Sequence, residues 1–313
     1  MKKKIIVHIG SPKTATSSIQ DYLYKNRDVL LSNLGVFYPA EHLCEEGRIA
    51  NGTLLLPKYF DEDNVVAKFK KWLMISDYIV LSEELLFIAD GLSKLPWLSN
   101  LNDVDITVVA YLRNAADYLA SLWAEFNKFE NNVVAPTLED FLNSKTYLSS
   151  LGNLRSLMKE CQNFTYVVRP YRQLSGKGDT LTDFLGFLGI NDDFSREPKS
   201  NLSITRRECD IRQLCLKERW QIPNAMGRDK ISRVALELES GDKRPVIQTL
   251  SDELIKTVCD KHTPALNDLM RTVRHDFSFD NVYPSCFGKQ RLAYEPVNDL
   301  EYEKLRSLLF SER

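Results

Sequence analysis

An apolar run, Ile5-Ile6-Val7, leads into a short loop of small and hydroxylated residues, and a helical pattern begins at once after it. Few folds accept that order. It is the strand–loop–helix step of a parallel α/β sheet, and it puts a helix N-terminus just beyond the carboxyl end of a strand. Backbone N–H groups there point outward and the helix dipole favours negative charge, so the loop is a candidate anion site. Residues Thr16, Ser17 and Ser18 add three consecutive hydroxyl donors. The loop is nearly a Walker A sequence, which runs Gly, four residues, then Gly-Lys-Ser/Thr. Gly10 and Ser17 fit its ends, but Ala15 stands for the second Gly, Thr16 for the Lys, and the lysine has moved to Lys13. A lysine placed earlier in the loop suits a shorter anion than a triphosphate. An ordinary βα turn with a Thr or Ser helix cap would look similar.

A second segment repeats the pattern. Asp105 to Arg113 is an apolar strand that ends in a cation. From Asn114 to Lys128, Ala115, Tyr118, Leu119, Leu122 and Phe126 form one helical stripe, while Asn114, Asp117, Ser121, Glu125 and Lys128 form the opposite, polar one. Arg113 occupies the position at which open α/β sheets gather ligands. It can hold a phosphate as a forked donor with Ser121 adding a hydroxyl, or it can serve as a capping Arg beside a solvated Ser.

Taken together, the two segments resemble the sulfotransferases that use 3′-phosphoadenosine 5′-phosphosulfate (PAPS), in particular the carbohydrate-type bacterial ones. The family's 5′-phosphosulfate loop, Pro-Lys-(Ser/Thr)-Gly-Thr-(Thr/Ser), corresponds to Pro12-Lys13-Thr14-Ala15-Thr16-Ser17. Its 3′-phosphate motif, an Arg at a strand end and a Ser eight residues later, corresponds to Arg113 and Ser121. The resemblance covers about residues 4–190. It implies that Ser11, Pro12, Lys13, Thr14, Ala15, Thr16, Ser17 and Ser18 hold the 5′ end of PAPS, that Arg113 and Ser121 hold the 3′-phosphate, and that no metal is required. Ala15 departs from the family's Gly, because its methyl group narrows the allowed φ/ψ.

In the implied reaction a sulfuryl group moves by in-line displacement to a hydroxyl or amine, with a carbohydrate or glycolipid as the expected acceptor. Lys13 is the candidate for stabilising the bridging oxygen as charge develops there. Glu83 follows the apolar Asp77–Leu81 strand and is the candidate general base; the run Ser82-Glu83-Glu84-Leu85 also reads as a helix start with Glu83 as a cap. His42 is the second choice for the base, and His8, on the first strand, is expected in the core. A small-molecule P-loop kinase or NTPase, or a silent nucleotide-binding module, are the competing readings. The kinase reading needs a lysine beside Ser17, where Thr16 stands.

The chain has 313 residues, 43% of them hydrophobic, which suffices for one large α/β core. A formal charge of −2 with scattered cations does not suit a nucleic-acid surface. The six cysteines and four histidines show no metal-ligand spacing. No stretch reads as a membrane span or leader, so a cytoplasmic, bacterial enzyme is expected. Strands are expected at Lys4–Ile9, Val36–Tyr38, Tyr78–Leu81, Ile106–Leu112 and Phe164–Val168. Helices are expected at Ser17–Asn33, Asn64–Ser76, Asn114–Lys128, Leu138–Asn143, Leu151–Glu160 and Thr180–Leu188. Further helices follow at Ile204–Arg219, Lys230–Glu239, Ser251–Val273 and Leu300–Phe310. The expected architecture is a P-loop NTPase-like α/β fold, a parallel sheet flanked by helices. Residues 1–190 form the PAPS-binding core, and 191–313 a helical C-terminal extension packed on it within one domain. Oligomeric state is not legible.

Overall fold

The computed structural model describes residues 2–40, 49–88, 90–127, 136–171, 180–190, 205–218, 234–235, 244–290, 294–295 and 299–310. Five strands, β1 (Lys3–His8), β2 (Val36–Phe37), β3 (Tyr78–Ser82), β4 (Val104–Leu112) and β5 (Thr165–Pro170), form one sheet in the order β2-β3-β1-β4-β5. Every pairing is parallel. The fold is therefore the expected α/β class. From β1 the chain passes to the edge strand β2, returns to β3 beside β1, and then crosses to β4 and β5 on the other side, so the strand order switches beside the carboxyl end of β1.

The strands read as continuous apolar runs because both faces of the sheet are covered. Ile6, Val80, Val109 and Tyr111 share one face and pack with Ile19, Tyr22, Leu23, Leu30, Phe184 and Leu185. These come from helices α1 (Thr16–Lys25), α2 (Arg27–Leu34) and, further along the chain, Thr180–Phe187. On the other face Ile5, Val7, Ile79, Leu81, Val108, Ala110 and Leu112 are equally buried. The expected single helix over Ser17–Asn33 is two helices, with the break at Asn26. Its side-chain amide donates to Tyr22 O at 2.8 Å and competes with continued helix. The remaining helices are α3 (Glu62–Ile75), α4 (Ala115–Phe126), α5 (Leu138–Asn143), α6 (Thr146–Glu160), α7 (Thr180–Phe187), α8 (Arg206–Lys217), α9 (Asp252–Thr272) and α10 (Asp299–Phe310). Most of the expected 230–239 helix lies outside the described residues.

Two compact units result. The first holds Met1–Arg113, Lys145–Lys199 and Pro264–Asp280; the second holds Asn114–Ser144, Ser200–Thr263 and Asn281–Arg313. The first contains all five strands. The second has a small core of its own around Ile211, Cys215 and Leu305.

Asn51 shows how the sheet edge is finished where a strand is too short to do it. Its side chain, fully buried, donates to Val80 O at 3.0 Å and accepts from Ser82 N at 2.7 Å. It thus completes the β3 ladder beyond the two-residue β2. Asn51→Ala leaves both backbone groups buried and unpaired, and is expected to lower unfolding stability by about 2–4 kcal/mol, read from urea denaturation. An unchanged midpoint would mean that the ladder closes another way.

Candidate functional site

The candidate site lies at the carboxyl ends of β1, β3 and β4, in the first unit. After His8 the chain stays tied to β4, with Ile9 N donating to Val109 O at 2.9 Å and Ser11 N to Tyr111 O at 3.4 Å, and then turns up. Gly10 (φ 26°), Lys13 (φ 68°) and Ala15 (φ 64°) all adopt positive φ. At Gly10 a side chain is sterically excluded, since a Cβ would come within 2.6 Å of Thr16 Oγ1. Ala15, the N-cap of α1, is left-handed and has no side chain able to cap the helix. The first-turn N–H groups consequently have no side-chain acceptor, and there is no acidic residue in that turn. The turn is a cradle of donors in which the positive end of the helix dipole is unopposed.

The loop hydroxyls divide into two groups. Ser11 Oγ donates to Tyr111 O at 2.9 Å and Thr14 Oγ1 donates to Ser11 O at 2.6 Å, both fully buried, so they hold the loop in shape. Thr16 Oγ1 is buried with no partner, and Ser17 and Ser18 are exposed on the first turn of α1. This orphaned hydroxyl, together with uncapped helix N–H groups and the nearby Lys13, fits the needs of an anionic phosphosulfate.

Arg113 reaches this loop directly. Its Nη1 donates to Lys13 O at 2.9 Å, its guanidinium lies 5.2 Å from the centre of the Tyr171 ring, and its own carbonyl accepts from Tyr147 Oη at 2.7 Å. The Pro12–Ser17 loop and the strand-end arginine, about 100 residues apart in sequence, thus sit side by side. Ser121 lies in α4, part of the second unit, so its role rests on the sequence spacing. Arg206 and Arg207, at the start of α8, belong to that unit too. Arg206 pairs with Asp210 at 2.9 Å and lies over Trp123, and Arg207 pairs with Glu301 at 3.5 Å.

Glu83 follows β3 and is 2% exposed. Its Oε2 accepts from Thr53 Oγ1 at 2.7 Å, and its Oε1 accepts from Leu85 N at 3.1 Å, which caps a 3-10 turn over Glu84–Phe87. Glu83 N donates to His8 O at 3.0 Å, so the residue is tied to β1 as well. Burial and the neighbouring Glu83 and Glu84 carboxylates push the Tyr38 hydroxyl above its usual range. Gly52 is required here because a Cβ would meet Glu83 Cβ at 2.8 Å. The Asn51-Gly52-Thr53 clasp did not emerge from the sequence; its only local signal is the Asn-Gly pair, which marks a turn. His42 lies outside the described residues. His8 is fully buried in the core, as expected, and burial pushes its imidazole down to about 3.

Among the described residues no group of three or more His, Cys, Asp or Glu side chains is placed to hold a metal. Also among them, no helix is long and apolar enough to cross a membrane. Cys161, Cys209, Cys215, Cys259 and Cys286 are buried and form no disulfide.

No protein-family model matches this chain. No curated protein matches it either. Several solved structures do. A sulfotransferase from Alicyclobacillus acidocaldarius is 12% identical with a TM-score of 0.42, over 87% of this chain and 96% of that one. The mouse sulfotransferase SULT7A1 complexed with PAP is 13% identical with a TM-score of 0.41, over 88% of each chain. Retinol dehydratase in complex with androsterone and inactive cofactor PAP is 12% identical with a TM-score of 0.35, over 89% of this chain and 83% of that one. At these scores the likenesses carry no argument about the site.

The left-handed Ala15 makes a direct prediction. Holding a non-glycine residue there costs about 1–2 kcal/mol, and a glycine gives back about 0.5–1 kcal/mol in unfolded-state freedom. Ala15→Gly is therefore expected to stabilise the protein by about 0.5 kcal/mol, seen as a higher urea midpoint at unchanged slope. A loss of stability would contradict the strained-loop reading.

Proposed function

We propose that this chain is a PAPS-dependent sulfotransferase that moves a sulfuryl group to a hydroxyl or amine of an acceptor. The observation that carries this reading is the 2.9 Å bond from Arg113 to the Lys13 carbonyl. It makes the cation at the end of β4 a neighbour of the donor cradle at the end of β1, as a nucleotide with phosphates at its 5′ and 3′ ends requires.

In this reading the N–H groups at the start of α1, with Thr16, Ser17 and Ser18, receive the 5′-phosphosulfate. Ser11, Pro12, Thr14 and Ala15 shape the turn around it. Arg113 takes the 3′-phosphate as a forked donor, with Ser121 as its expected helper. The acceptor oxygen or nitrogen bonds to sulfur as the bond from sulfur to the bridging oxygen breaks, and 3′,5′-adenosine bisphosphate (PAP) leaves. Lys13, an ammonium on a flexible stem within the loop, stabilises charge building on that oxygen. Fixed cations and N–H dipoles supply the electrostatic part, so the reaction as written draws on no metal.

Glu83 is the proposed base for the acceptor proton. A carboxylate has about four acceptor sites on its two oxygens, so the bonds from Thr53 and Leu85 and the uptake of a proton are compatible, and the cap and the base are two uses of one carboxylate. A carbohydrate or glycolipid is the proposed acceptor class, by sequence resemblance alone.

Transfer of labelled sulfate from PAPS across a panel of carbohydrate, glycolipid and small hydroxyl acceptors tests the reading. Lys13→Ala is expected to lower turnover about 100- to 1000-fold, the effect of removing one transition-state charge stabiliser, and to change PAP affinity far less. Equal turnover in wild type and variant would remove Lys13 from the mechanism. Binding of Mg·ATP in place of PAP would favour a P-loop kinase.

A further inference from the structure

Two buried polar atoms beneath the loop lack a hydrogen-bond partner: His8 Nε2 and Thr16 Oγ1. Both face the bare α-carbon of Gly10. A Cβ built there would lie 2.6 Å from Thr16 Oγ1 and 3.1 Å from His8 Nε2. Orphaned buried polar groups are costly, so a site that keeps two of them together calls for a partner. The His8 ring is fully buried, edge-on to Tyr111 and tilted against Phe184. It is held in the neutral form by desolvation. A neutral imidazole has one N–H and one lone-pair nitrogen. Its Nδ1 lies 2.8 Å from Ser82 Oγ, so the role of Ser82 fixes what Nε2 can do.

Of the two tautomers, one serves a donor cradle. If Ser82 donates to Nδ1, the proton is on Nε2, which shares the space over the Gly10 α-carbon with Thr16 Oγ1. A Thr16 Oγ1 that accepts this proton keeps its own hydroxyl proton for an anion. The other tautomer would draw the Thr16 proton down to Nε2 and remove a donor from a turn whose N-cap residue makes no side-chain cap bond. We propose that His8 is a positioning residue of the anion loop: Ser82 donates to Nδ1, Nε2–H is the donor offered to Thr16 Oγ1 when an anion occupies the loop, and the Thr16 hydroxyl is thereby aimed at an anionic oxygen. The inference rests on the sulfotransferase reading only for the identity of that anion. His8 also carries the backbone carbonyl that fixes Glu83 N, so a single residue on β1 touches both the donor loop and the segment of the proposed base.

The test is a double-mutant cycle on PAP affinity by calorimetry, with His8→Phe, Thr16→Val and the pair. Each single change is expected to weaken binding roughly five- to tenfold, the worth of one well-placed hydrogen bond. In the Thr16→Val background His8→Phe is expected to add no more than about twofold, because its effect passes through Thr16. His8→Gln, which keeps a donor near the Nε2 position, restores binding and covers the case in which His8→Phe fails to fold. An equal effect of His8→Phe in both backgrounds would mean that the ring only fills space, and would overturn the proposal. Nitrogen NMR of the wild-type imidazole is an independent arm: the proton is expected on Nε2, and its presence on Nδ1 would overturn the proposal. If PAP does not bind the wild type, the sulfotransferase reading fails, and the tautomer alone decides the role of His8.

Discussion

The Arg113 guanidinium donating to the Lys13 carbonyl is the contact on which the candidate site depends. In the parallel register of β1 and β4, His8 lies opposite Val109, so β4 continues to Leu112 past the end of β1 and carries Arg113 up beside the loop that β1 feeds. The loop after β1 must then turn sharply, and it does so through left-handed backbone at Lys13 and Ala15. That turn presents a carbonyl to Arg113 and leaves the start of α1 uncapped. Strain, cation and open donors are therefore one arrangement, in which each part exists because of the others.

Much of the fold was legible because its signals are local. All five strands lie within one or two residues of their apolar runs, since burial on both faces leaves little room for polar residues. The helix over Leu138–Asn143 matches at both ends, set by Thr137, whose side chain accepts from Asp140 N. Where competition between weak local bonds decides, the sequence is silent. Asn26 splits a continuous helical stripe by bonding backward to Tyr22, and α6 begins at Thr146, ahead of the expected start at Leu151, with Tyr147 as the first buried residue of its stripe.

The candidate site divides along the same line. The Pro12–Ser17 loop and Arg113 could be picked out because each follows a strand and precedes a helix. Their contact could not, since it joins a backbone carbonyl to a side chain about 100 residues away. The Asn51-Gly52-Thr53 clasp on β3 and Glu83 was equally hidden. It is a tertiary device: a buried amide replacing a strand, a glycine permitting close approach, and a hydroxyl binding a carboxylate. Glu83, the proposed base, is held by this clasp through Thr53 and by its own turn through Leu85 N.

The central claim is that one cradle, joined by Arg113, grips both ends of an adenosine bisphosphate. Calorimetric affinities of PAP and of adenosine 5′-phosphate, which lacks the 3′-phosphate, in wild type and Arg113→Met test it most directly. The account predicts that the wild type prefers PAP by at least tenfold, as charge-assisted bonds to phosphate require, and that this preference disappears in Arg113→Met. Equal affinities in the wild type, or a preference that survives the loss of Arg113, would contradict it.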